Sequence, residues 1–114
     1  MKGKITLLRW STIAALSLAG LFLQTASLNA QGSGEKMYKA KCAACHGADG
    51  KGDSPAGKAT KARAFCSDEV KNETDEEWTT IILKGKNKMP AYDKKVTDAE
   101  LKDVVAYIRS LCKK

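Results

Sequence analysis

Residues 42–46 read Cys-Ala-Ala-Cys-His and gather two of the chain's four cysteines with its only histidine. No other stretch limits the possible folds so strongly. Two thiols three positions apart on a helical end face nearly the same way, and the imidazole follows about one turn on. A fold that contains this triplet must leave space beside it for whatever the three groups bind. The chain has 114 residues, so it forms at most one small domain.

Part of that length reads as an address label. Lys2, Lys4 and Arg9 precede a segment without any charge, from Trp10 to Gly34, and Ile13 to Leu23 is an apolar run of eleven residues. Polarity then rises through Gln24, Thr25, Ser27 and Asn29. This is the three-part pattern of a secretory signal peptide over residues 1–30, with cleavage expected after Ala30 and Leu28 at the −3 position. The rival reading is an uncleaved anchor, but a spanning helix needs about 20 predominantly apolar residues and the polar tail argues against one. Both readings place the folded part in the periplasm or another extracytoplasmic, oxidising compartment.

The remaining segment, 31–114, is 84 residues long. That is marginal for a chain relying on its own apolar core, so a disulfide, metal or cofactor is expected to complete it. Without the leader's three cations, the balance is 17 basic against 13 acidic residues, or +4. This density is too low for a nucleic-acid binder, and none is expected as a partner. At 43% hydrophobic residues with clear periodic segments, the chain is not a disordered one.

The pattern predicts three helices and no strands, an all-α fold. The first runs from about Ser33, a candidate N-cap, to Cys45. Gly47 to Thr60 is rich in glycine and contains Pro55, and reads as a loop. The second starts at the capping box Thr74-x-x-Glu77, carries Trp78, Ile81 and Ile82, and stops at Gly85. The third starts at a second box, Thr97-x-x-Glu100. Leu101, Val104, Val105, Ile108 and Leu111 then recur at helical spacing, with Tyr107 beside them. Tyr38 and Tyr107 are expected in the helix-crossing core. Trp78 and Tyr92 suit either the core or a cofactor edge.

Cys-x-x-Cys-His is the attachment pattern of c-type haem. Cys42 and Cys45 would take the two vinyl groups as thioethers, and His46 would ligate iron. A zinc site recruiting Cys66 or Cys112 is the first rival, but structural zinc usually uses paired knuckles and these cysteines stand singly. A thioredoxin-like dithiol lacks its strand–helix context. A Cys42–Cys45 disulfide leaves His46 unexplained. For the second iron ligand, a further histidine does not exist. Met1 lies in the leader, and Met37 stands just over one turn before Cys42 on the same helix. Met89 remains, 43 residues beyond His46 and followed by Pro90. A thioether favours ferrous iron and raises the reduction potential. The plainer reading of Met89 is a filler of core space.

With these residues assembled, the segment Gly34 to Leu111 resembles the small class I cytochromes c of bacteria and photosynthetic lumens. Gly34-x-x-x-Tyr38-x-x-x-Cys42 is similar to the family's first helix, whose glycine permits close crossing of the last. Asp103-Val104-Val105-Ala106-Tyr107-Ile108 is similar to that last helix, and Lys88-Met89-Pro90-Ala91-Tyr92 to the distal-ligand loop. The resemblance implies one covalent haem c, with Cys42 and Cys45 as attachment points, His46 as proximal ligand and Met89 as distal ligand. Two features depart from the family. A proline often found about twelve residues after the histidine is Lys58 here, which leaves Pro55 as the nearest source of an acceptor for the imidazole N–H. Cys66 and Cys112 lie outside the common pattern. They can pair with each other, stay as buried thiols, or link two chains through Cys112.

Iron held on both faces has no open position, so one-electron transfer is expected in place of substrate chemistry. The expected role is a monomeric periplasmic carrier between respiratory or photosynthetic redox proteins, not an enzyme, with no small-molecule substrate. Lys84, Lys86, Lys88, Lys94 and Lys95 surround Met89 in sequence and would steer an acidic patch of a partner. A solvated lysine loop is the plain alternative. Two other functions compete: a sensor or peroxidase-like protein with a displaceable Met89, and an electron-entry subunit held at a membrane by an uncleaved N-terminus.

Overall fold

Cap residues set the helix positions. In the computed structural model, which describes residues 24–113, the order is α1 (Gln24–Lys41), α2 (Ala43–His46), α3 (Pro55–Thr60), α4 (Asp68–Lys71), α5 (Asp75–Lys84) and α6 (Asp98–Leu111). The expected leader lies outside the described residues up to position 23. Among the described residues there is no strand, only an isolated antiparallel bridge between Lys86 and Met89. The fold is all-α, as expected.

Both expected capping boxes close. Thr74 Oγ1 accepts from Glu77 N while Glu77 Oε2 accepts from Thr74 N, and Thr97 and Glu100 repeat the exchange. Carboxylates in the first turns of α5 and α6 also face the positive helix ends. The expected start at Ser33 needs correction: Ser33 lies inside α1, which extends back to Gln24. No proline interrupts the preceding residues, and a nucleated helix propagates cheaply. The expected loop from Gly47 to Thr60 contains the short α3, with Ser54 as N-cap and Pro55 at the first helical position. Likewise, Ser67 caps α4.

Packing contacts divide the chain after Ala30, and the core belongs to the second unit, Gln31–Lys114. Met37 and Tyr38 of α1 meet Val104, Val105 and Ile108 of α6, with Val70 and Trp78 closing the side. Tyr38 is completely buried, and its hydroxyl donates to the Gly47 carbonyl at 2.7 Å. Its ring packs on Tyr107 at 5.3 Å between centroids. Both tyrosines thus serve the crossing of α1 and α6.

Cys66 and Cys112 form a disulfide with Cα atoms 5.2 Å apart. Of the three possibilities the sequence left open, pairing within one chain is the outcome. The bond fastens the segment before α4 to the end of α6.

Candidate functional site

Cys42 separates α1 from α2 and carries a non-ideal helical backbone, φ −112° and ψ −38°. Its carbonyl accepts from both Cys45 N and His46 N, so the whole pentapeptide is wound around one acceptor. Ser54 Oγ donates to the carbonyls of Ala44 and Cys45 at 2.8 and 3.0 Å, which satisfies the short helix's C-terminal end. Cys42 and Cys45 are both free thiols of intermediate exposure. Burial pushes the Cys42 thiol up to about 11.

The His46 ring is fixed in two ways. Its Nδ1 lies 3.2 Å from the Arg63 carbonyl oxygen. That oxygen can only accept, so Nδ1 carries the hydrogen and Nε2 keeps its lone pair. The ring stacks on Phe65, with centroids 4.4 Å apart and 23° between planes. Burial, the largest influence, holds the imidazole below its ordinary pKa and favours the neutral form a metal ligand needs. The acceptor for the imidazole is therefore Arg63 and not Pro55. Pro55 is occupied as the first residue of α3.

Met89 reaches the site through a tight reversal. Gly85 adopts φ +74°, and a Cβ there would approach the Met89 carbonyl oxygen to 2.6 Å. Lys86 and Met89 then exchange backbone hydrogen bonds of 3.2 and 2.9 Å across Asn87 and Lys88, with Asn87 in the left-handed region at φ 55°. Tyr92 N donates to Ile82 O, and Tyr92 Oη donates to Lys41 O at 3.2 Å, tying the loop to the end of α1.

Two neighbouring cavities have Cys42, His46, Met89 and Tyr92 in both their walls. The first is otherwise walled mainly by apolar side chains such as Trp78, Ile82, Val104 and Ile108, and also by Met37. The second adds Cys45 and the cationic Lys61, Lys86 and Lys88, and shares Lys41 with the first. Two thiols, a neutral imidazole with a free nitrogen and a thioether thus meet one mostly apolar space. This donor set fits a haem attached through two sulfurs.

Zinc has less support. Cys66 and Cys112 are committed to each other. Among the described residues, no group of three His, Cys, Asp or Glu side chains is placed to hold a metal ion.

Charged neighbours form a network that the sequence did not reveal. Arg63 lines both cavities, and its guanidinium donates to both Glu73 oxygens, at 2.5 and 3.1 Å. Trp78 Nε1 also donates to Glu73, at 3.1 Å, and the Arg109 guanidinium lies 3.7 Å over the Trp78 ring. A backbone acceptor such as the Arg63 carbonyl has no signature in residue type. Phe65, stacked on His46, carries no sequence signal beyond being aromatic. Lys84, Lys86, Lys88, Lys94 and Lys95 are all exposed.

Comparisons with known proteins bear on the family of the chain. The family described as cytochrome C oxidase, cbb3-type, subunit III, matches residues 29–108. Cytochrome c-555 of Methylococcus capsulatus is 31% identical, with 96% of this chain and 87% of the relative covered. Cytochrome c6 of Cyanidium caldarium is 32% identical over 86% of this chain and 88% of its own length. Cytochrome c6 of Pyropia yezoensis is 30% identical, and 100% of this chain and 98% of the relative are covered.

Proposed function

The chain belongs to the small monohaem class I cytochromes c, and from that premise we propose that it ferries single electrons between redox proteins outside the cytoplasm. It is a haem-binding electron carrier, not an enzyme, and its cofactor is a covalently bound c-type haem. When bound, the haem iron supplies the one-electron ferric–ferrous couple.

In this reading, the Cys42 and Cys45 sulfurs anchor the group as thioethers. His46 Nε2 and Met89 Sδ would be the iron ligands. The observation that carries the assignment is the meeting of Cys42, His46 and Met89 in the walls of both cavities. The Arg63 carbonyl keeps His46 in the tautomer whose Nε2 is free. Trp78, Val104 and Ile108 give the first cavity an apolar wall, a setting that limits rearrangement as the charge on iron changes. The lysine rim of the second cavity attracts an acidic patch on the partner, through a small and short-lived contact.

The test is an absorption spectrum of the exported protein, oxidised and reduced, extended to the near-infrared. The expected spectrum is low-spin with the weak iron–thioether charge-transfer band, and that band disappears in Met89→Ala. A high-spin spectrum, or ready binding of carbon monoxide by the reduced protein, would overturn His46/Met89 ligation. We place the protein in the periplasm or an equivalent compartment after removal of residues 1–30. Among the described residues no helix is long and apolar enough to cross a membrane. A mature mass that retains the leader would instead indicate the anchored form.

A further inference from the structure

The hydrogen bond from His46 to Arg63 depends on a segment with little regular structure. Between α3 and α4, Ala62 N donates to Gly57 O and Phe65 N donates to Gly50 O. The Arg63 side chain supplies a further tether. Both of its terminal nitrogens bond the Glu73 carboxylate, and Glu69 stands farther off at 4.0 Å. Glu73 is in turn held at both ends. Its carboxylate accepts from Trp78 Nε1, and its backbone carbonyl accepts from Arg109. Arg109 is itself fixed by Asp75 at 2.9 Å and by the Lys71 carbonyl at 2.8 Å. Trp78 is 5% exposed, so the network rests on the core.

We propose that Glu73 is a positioning residue for the electron carrier. By clamping the Arg63 guanidinium in two places, it holds the Arg63 carbonyl at the His46 Nδ1–H and so sets how strongly the imidazole donates to iron. This rests on His46 being the proximal ligand. A bidentate guanidinium–carboxylate pair fixes orientation as well as distance, which a single contact does not. A stronger bond at Nδ1 makes the imidazole more basic. A more basic ligand favours ferric iron and lowers the potential. Releasing the clamp therefore raises the potential and exposes the Nδ1 proton to solvent.

The experiment uses the haem-loaded protein and two measurements, the reduction potential and the solvent exchange of the His46 Nδ1 proton in the ferrous state by NMR. In Glu73→Gln the potential is expected to rise and the proton to exchange about tenfold faster, within the range over which such outer partners influence a ligand. Loss of one negative charge would raise the potential by itself. The charge-neutral pair Arg63→Leu with Glu73→Leu separates the two causes, because the backbone carbonyl remains while the clamp is gone. Its potential and exchange are both expected to rise. Wild-type values for both in the double variant, or unchanged exchange in Glu73→Gln, would overturn the proposal. If the double variant does not fold, Glu73→Asp decides. It keeps the charge but is one methylene shorter, and exchange no faster than wild type would overturn the clamp. A wild-type spectrum that is not low-spin would count against His46/Met89 ligation itself, which is a separate failure.

Discussion

A Cβ built on Gly34 would lie 2.1 Å from the carbonyl oxygen of Asp103, so α1 and α6 cross with backbone against backbone. Even alanine cannot enter without separating the helices, and the displaced atom is a rigid carbonyl. Gly34→Ala is expected to cost about 1–3 kcal/mol, the usual range for overpacking. Guanidinium unfolding of the haem-loaded protein measures it. An unchanged midpoint would mean that the crossing relaxes freely.

The disulfide gives a second prediction. Cys66 and Cys112 are 46 positions apart. On the chain-entropy account, closing such a loop contributes about 4 kcal/mol through the unfolded state. Cys66→Ser combined with Cys112→Ser should lower the unfolding free energy by roughly that amount. A loss well under about 1 kcal/mol would show that the unfolded chain is already held compact by other links.

Acid should act through Glu73. Its pKa is held below the ordinary 4.5, first by the hydrogen bond from Arg63. Folding thus favours the ionised carboxylate. The resulting stability is complete above the unfolded value and is lost as pH falls towards the lower folded value. Between about pH 5 and pH 3, wild type should lose more stability than Glu73→Gln. Parallel unfolding curves across that range would remove Glu73 from the acid response.

The lysines predict a dependence on salt and on the sign of the reactant's charge. Electron transfer with a small anionic metal complex should slow as ionic strength rises, and with a cationic complex it should quicken. Lys86→Glu together with Lys88→Glu should weaken or reverse both trends, because these two residues stand on the rim of the second cavity. A rate with the anionic complex that ignores salt would mean that the electron leaves elsewhere.

Local rules made much of the fold legible. Thr74 and Thr97 announced their helices because a capping box is a contact three residues long, and the sequence contains all of it. Met89 was singled out by elimination among few candidates, and it shares the cavity walls with His46. The start of α1 was missed because Ser33 is a good cap that a longer helix simply passes through. The short α3 and α4 were missed although Ser54-Pro55 and Ser67-Asp68 carry cap signals, since four to six residues show no periodicity. The Arg63 carbonyl, the Glu73 clamp and the cystine depend on which distant segments meet. Residue identity leaves those meetings open.

Cys66 and Cys112 close a covalent ring that includes Met89 and leaves His46 outside. Met89 stands 23 positions from each cystine end, at the midpoint of the ring. With the proposed ligation, the two iron ligands then differ in how far they can stray. His46 lies next to Cys45, its nearest anchor. Met89 is tethered at its farthest possible remove from the bridge, yet on both sides. A thioether that lets go of iron stays on a loop of bounded reach, and its effective concentration near the metal remains far above that of any sulfur ligand in solution. The ring therefore acts as a leash that favours recapture of the same ligand over its replacement.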